Sequence, residues 1–127
     1  MTNSLLKPRP GVTHTGTIKI DPSSIENFLE TFRTCWEQCC KEPDCLCFEV
    51  FHSQTDPGVF HFVEVWAEDN DWFMDVQIKK DYYKSYWEVT KPMWIERELK
   101  IWDRVDGLSF IDERYVRDAV TSKADLR

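Results

Sequence analysis

Long apolar runs are missing from this chain. Across its 127 residues no stretch is apolar enough to span a bilayer, and the N-terminal MTNSLLKPRPG lacks the apolar core of a secretory signal. The sequence therefore reads as an intracellular, cytoplasmic protein with no membrane partner. A basic excess is missing too. The chain has 16 Lys and Arg against 23 Asp and Glu, a net charge of −7. Phosphate binding needs a concentrated basic face, so nucleic acid is not an expected partner. Metal-ligand spacing is also absent: Cys35, Cys39, Cys40, Cys45 and Cys47 include no CxxC pair and no histidine lies among them. No metal site is expected from them. Their odd number, without a secretory signal, points to reduced thiols packed as small apolar groups. No internal repeat or low-complexity segment occurs.

Aromatic side chains, by contrast, are abundant: 6 Trp, 8 Phe and 4 Tyr in a chain that is 42% hydrophobic. That is enough for one domain with a real core and for an aromatic-lined pocket or interface. Residues 1–12, with Pro8, Pro10 and Gly11, read as an N-terminal arm. Residues 13–105 form the expected domain, and residues 106–127 a C-terminal tail with a short helix near Asp112–Ala119. His14–Ile20 alternates weakly and predicts a first strand. DPSSIE predicts a helix start, with Asp21 or Ser23 as cap and Ser23 and Glu26 as a capping box. Ile25, Phe28, Leu29, Phe32, Trp36 and Cys39 then follow the spacing of one buried helical stripe, which should end near Glu42–Pro43.

Cys45–Ser53 and Val59–Ala67 predict two strands joined by a turn at TDPG. Glu68, Asp69 and Asp71 precede Lys79, Lys80 and Lys84, the polarity a helix dipole favours. They predict a second helix with Phe73, Val76, Lys80, Tyr83 and Trp87 on one face, ended or kinked by Pro92. Arg97–Val105 predicts the last strand. The order β-α-β-β-α-β is an α+β, ferredoxin-like arrangement: a four-stranded antiparallel sheet with two helices on one face.

One strand departs from simple alternation. In FHFVEVW (Phe60–Trp66) apolar residues occupy both parities, with Glu64 alone among them. If Phe62 and Trp66 face the helices, Val63 and Val65 face outward, and an apolar outer face invites a second sheet. A homodimer supplies one by two-fold symmetry. The alternative is a monomer whose arm and tail cover that face.

The run EPDCLCFEVFHSQTDPGVFHFVEVWAEDNDWF, followed by QIKKDYYKSY, resembles the antibiotic biosynthesis monooxygenase family of dimeric α+β barrels. The resemblance spans His14 to Arg104. It implies a homodimer with a pocket between the sheet and its helices. It also implies oxidation there of a phenolic or polycyclic aromatic small molecule by O2 without metal or flavin, as in secondary metabolism. The protein's task would be to deprotonate the substrate, hold its anion and exclude water. The same scaffold also hosts cyclases and isomerases, and members that bind a ligand without turning it over. Members often carry a histidine in the second helix where this chain has Tyr82 and Tyr83, and the first strand lacks the asparagine of some family sites.

The candidate catalytic groups are Glu64, Tyr82 and Tyr83. A buried carboxylate must be paired or change its pKa. Glu64 is either the group that takes a phenol proton or the structural partner of Arg97, Lys80 or a tyrosine hydroxyl. Glu49 on the neighbouring strand competes for the role. A tyrosine can stabilise an enolate, although Tyr82, Tyr83 and Tyr86 are not expected to face inward together. Trp66 is the candidate to stack on a planar substrate. Phe62, Phe73 and Trp87 are further candidates for the substrate-binding wall, Gln77 for a hydrogen-bond donor and His14 for a rim or pocket residue. His52 and His61 are expected to face each other across the hairpin.

Overall fold

The computed structural model describes residues 9–127; most of the expected N-terminal arm, residues 1–8, lies outside the described residues. VTHTGTIKI forms β1, Val12–Ile20, beginning two residues before the expected His14. Strand geometry sends alternate side chains to opposite faces. Val12, Ile18 and Ile20 are buried under the helices, and Thr13, Thr15, Thr17 and Lys19 take the other face. β1 sits inside an antiparallel sheet with β2 (Cys45–His52), β3 (Val59–Trp66) and β4 (Trp94–Trp102), in the order β2-β3-β1-β4. This is the ferredoxin-like arrangement expected from the sequence. β4 starts three residues earlier than expected because Trp94 pairs with Ile20 across a register shift.

The first helix, α1, spans Ile25–Lys41. It buries Phe28, Cys35 and Cys39, with Phe32 partly covered between them. Each fully buried phenylalanine is worth roughly 1.5–3 kcal/mol. Leu29, expected in the stripe, is 39% exposed, and Cys35 takes the inward place. The Ser23–Glu26 capping box is not formed. Instead the Asp21 carboxylate accepts from the Ser23 backbone (2.9 Å) and hydroxyl (2.6 Å), which leads into a 3-10 turn, Pro22–Ser24, before α1. The helix ends at Glu42 as expected, where Pro43 excludes helical backbone from its predecessor.

The expected second helix is two helices. α2 runs Asn70–Asp75, capped by Asp69 accepting from Trp72 N at 2.9 Å, and α3 runs Asp81–Thr90. Between them a 3-10 turn at Gln77–Lys79 and an extended Lys80 (ψ 142°) redirect the chain. The cause lies in the interior. Gln77 is fully buried and gives its amide to Tyr82 (2.5 Å) and Tyr83 (3.0 Å), which an unbroken helix would not permit. Val76, expected on the buried face, is 46% exposed, and Lys80 pairs with Glu42 at 3.0 Å.

Beyond β4 the chain forms successive turns over residues 113–118, not the helix expected near Asp112–Ala119. Tyr115 donates to Glu49 on the face opposite the helices. Lys123 Nζ donates to the carbonyls of Cys40 (2.6 Å), Glu42 (2.8 Å) and Cys45 (3.0 Å), completing the C-terminal end of α1 where a cation is favoured. Among the described residues, no helix is long and apolar enough to cross a membrane.

Candidate active site

A cavity of about 300 Å³ lies between the helix-side face of the sheet and the three helices. Its walls are mostly aromatic and aliphatic. Phe32 and Trp36 come from α1, Phe48 and Phe62 from β2 and β3, Phe73 from α2, Tyr86 and Trp87 from α3, and Leu99 and Ile101 from β4. Gly16 makes room for one of them, because a Cβ there would sit 2.3 Å from the Phe62 ring.

The polar end is built by strand register. His14 on β1 pairs directly with Glu64 on β3, so the imidazole and carboxylate share one face, 3.4 Å apart between Nδ1 and Oε1. The other ring nitrogen, Nε2, lies 2.9 Å from Asn70 Oδ1 at the start of α2. Phe73 meets the ring edge-on, with centroids 4.2 Å apart. Trp66 donates its indole N–H to the same Glu64 oxygen at 3.1 Å. Glu64 is 6% exposed, yet its second oxygen accepts no hydrogen bond among the described residues. Glu64 lines the cavity.

Glu64 thus has a partner, but not Arg97, Lys80 or a tyrosine. Arg97 lies over the Trp94 ring and Lys80 is held by Glu42. Glu49 drops out as a rival because it sits on the opposite face with Tyr115.

Of the expected residues, His14, Phe62, Glu64, Phe73, Tyr83 and Trp87 line the cavity together; Trp66, Gln77 and Tyr82 do not. Trp66 is fully buried behind the carboxylate it holds, packed on Trp72 and Phe73. Gln77 is behind Tyr83, with both amide hydrogens used. Tyr82 lies tilted against Tyr83, with ring centroids 4.8 Å apart, and its hydroxyl accepts from Gln77. Tyr83 and Tyr86 are both buried, with Tyr82 half-buried beside them, so three tyrosines turn inward after all. The break before α3 is what lets Tyr82 reach Gln77.

Burial pushes the Tyr83 phenol well above the usual tyrosine range, and the adjacent Cys39 pushes the same way. Its oxygen accepts from Cys39 Sγ (3.1 Å) and Gln77 Nε2 (3.0 Å). Tyr83 is therefore a neutral hydroxyl with a proton to donate, not a base. Cys39 is also held protonated, by the neighbouring Cys35 thiol and by burial.

Asn70, Phe32, Trp36, Phe48 and Ile101 belong to the site without having been singled out. Phe32 and Trp36 lay in the α1 stripe, and Asn70 is the uncharged residue in the acidic run EDND.

The expected His52–His61 pair is not formed. His52 stacks on Phe60 and bonds Pro57 O at 2.8 Å. His61 turns to the opposite face, where its Nδ1 lies 2.9 Å from Thr17 Oγ1.

The family model for antibiotic biosynthesis monooxygenase matches residues 11–74, which contain His14, Phe62, Glu64, Asn70 and Phe73. "Putative monooxygenase GME11364" of Pestalotiopsis microspora is 34% identical over 102 residues, covering 80% of this chain and 85% of that one. A solved structure described as a putative antibiotic biosynthesis monooxygenase from Caulobacter crescentus CB15 shares the fold. Its TM-score is 0.70 at 21% identity, covering 80% of this chain and 95% of its own. One of the same description from Nitrosomonas europaea has a TM-score of 0.67 at 20% identity, covering 74% and 89%. The chain belongs to the antibiotic biosynthesis monooxygenase family.

Proposed function

We infer that the cavity deprotonates a phenolic or polycyclic aromatic small molecule and directs its reaction with O2, in the manner of a secondary-metabolism monooxygenase. The observation that carries this reading is the Glu64–His14–Asn70 cluster lining an aromatic cavity, with one carboxylate oxygen that accepts no hydrogen bond among the described residues. A carboxylate fixed by an indole N–H and an imidazole on one oxygen is oriented to take a proton with the other. The planar walls favour a flat ring system and keep bulk water from the anion. Tyr83 is placed to donate a hydrogen bond to a developing oxyanion. The electron-rich anion is the species that meets O2: at an activated CH2, one oxygen atom becomes the new carbonyl and the other leaves as water.

The acting unit in this reading is a homodimer, paired through the sheet face that carries Val63 and Val65. Five free cysteines fit a reducing, cytoplasmic setting.

An anthrone and hydroquinone panel under oxygen, followed by oxygen uptake and quinone absorbance, tests the reaction. The expected result is uptake that stops under nitrogen. Turnover that continues without oxygen would assign the pocket to cyclase or isomerase chemistry. Ligand binding with no turnover across the panel would make it a binding protein.

A further inference from the structure

Arg97 is the one basic group of β4 whose charge is not used by a neighbouring acid among the described residues. It stands opposite Ile18 in the β1–β4 ladder, which places it on the helix side, and it lines the open rim of the cavity, exposed, beside Leu99 and Ile101, which are 52% and 60% exposed. Its guanidinium lies 4.6 Å from the Trp94 ring centre. Its charge also acts on the Tyr86 phenol across the cavity wall, in opposition to burial. The other cations nearby are occupied. Lys100 pairs with Glu98 at 3.0 Å, Lys80 with Glu42 and Lys19 with Asp56. Glu96 and Glu98 pair with Lys19 and Thr17 in the ladder, so they point away from the Arg97 face.

A guanidinium resting on an indole is a planar fork held in advance of its ligand. It is weakly hydrated and matches a carboxylate with two parallel N–H donors. The chain as a whole repels anions at long range, with a net charge of −7, so an acidic ligand needs a local cation. Glu64 sets the orientation. A substrate carboxylate is repelled at that end and attracted at the Arg97 end. His14 and Ile18 are four residues apart on β1, roughly 13 Å of strand, a span that the reach of an arginine shortens to the length of two or three fused rings.

We propose that Arg97 recognises a carboxylate on the substrate, so that the cavity selects aryl carboxylic acids whose ionisable hydroxyl lies at the opposite end of a fused ring system. The proposal rests on the reading of the cavity as a phenol site, and it adds the acid group.

The test is calorimetric titration of the full chain with 6-hydroxy-2-naphthoate, with its methyl ester, which keeps the shape and loses the charge, and with 2-naphthol. The acid is expected to bind about tenfold tighter than the ester at low salt. Arg97→Gln should bring that ratio close to one while leaving ester affinity unchanged, and Arg97→Lys should keep part of it. Equal binding of acid and ester by the native chain overturns the proposal and leaves the phenol site standing. So does a preference that survives Arg97→Gln, or a substitution that lowers only thermal stability, as a purely stacking role would. Failure of all three probes to bind removes the phenol site and the proposal together.

Discussion

The sheet carries a cavity on each face, and the two differ in how their polar groups are used. The cleft on the face away from the helices is about 310 Å³ and is lined by Thr15, Thr17, His61, Glu98, Lys100 and Trp102. These groups are committed to one another. Thr17 meets His61 at 2.9 Å, the Trp102 indole donates to Thr15 at 2.7 Å, and Lys100 holds Glu98 at 3.0 Å. The helix-side cavity has a similar size and a far more apolar lining, yet among the described residues it leaves one Glu64 oxygen unpaired and Arg97 without an acid. Satisfied polar groups stabilise a surface, whereas unspent ones along an apolar cavity, Glu64 buried in its wall and Arg97 exposed at its rim, await a ligand. Size does not separate the two cavities; residual hydrogen-bonding capacity does.

The largest effect should come from removing the unspent carboxylate. Glu64→Gln keeps the shape and the Trp66 contact but removes the base, and turnover on any accepted substrate should fall by about 10²–10⁴-fold. Thr17→Val on the opposite cleft deletes the His61 hydrogen bond and should leave the rate within about twofold, at a stability cost of about 1 kcal/mol. Steady-state kinetics on both variants decides the matter. Similar losses from the two would erase the distinction between the faces.

The fold was readable where local chemistry sets it. The α1 stripe, the stop before Pro43 and the hairpin around Asp56–Gly58 all follow from spacing and backbone preference. The break between α2 and α3 was not readable, since VQIKK contains neither glycine nor proline. It is decided by a buried amide that finds two tyrosine hydroxyls only in the folded state. Glu64 stood out as a lone acid in an apolar strand, but its partner was sought among Arg97, Lys80 and the tyrosines. The true partner, His14, is distant in sequence and is delivered by the β1–β3 register. Alternation along β1 already put His14 on the face of Ile18 and Ile20, and one correct register would have paired it with Glu64. Trp66 misled for a physical reason: a buried indole needs an acceptor, and holding the carboxylate removes it from the wall.

The outer face offers the next effect. Val63 and Val65 are half-buried in the single chain, and the tail reaches this face at Glu49 without closing it over. Leu108 and Phe110 in that tail remain 79% and 88% exposed. If two sheets meet here, Val65→Asp places an unpaired charge in the interface, and sedimentation should show dimer dissociation strengthened by about 10–100-fold. Substrate binding should persist, because Val65 lies on the sheet face opposite the one that carries Phe62, Glu64 and the helix-side cavity. A native chain that sediments as a monomer would return the outer face to the tail.

The smallest effect concerns pH and separates the faces once more, because the neutral buried phenols and the most deeply buried thiol lie on the helix side. Burial raises Tyr83 and Tyr86 above the ordinary tyrosine value of 10.0, and the Cys35 contact and burial raise Cys39 above the ordinary thiol value of 9.0. A raised native pKa means that the unfolded chain releases its proton first. The tyrosine contributions are therefore complete below about pH 9 and that of Cys39 below about pH 8, and each is lost as pH rises further, with a slope of about 1.4 kcal/mol per pH unit for each group fully in its window. Tyr83→Phe removes one such group along with its bonds to Gln77 and Cys39. At pH 7 it should be less stable than the native chain by about 1–2 kcal/mol. Between pH 10 and 11 the gap should narrow, because the variant has one proton fewer to lose. Urea unfolding across pH 7–11 measures the gap directly. A gap that stays constant would mean that Tyr83 ionises as readily in the native cavity as in water, and the neutral hydroxyl assigned to it would have to be given up.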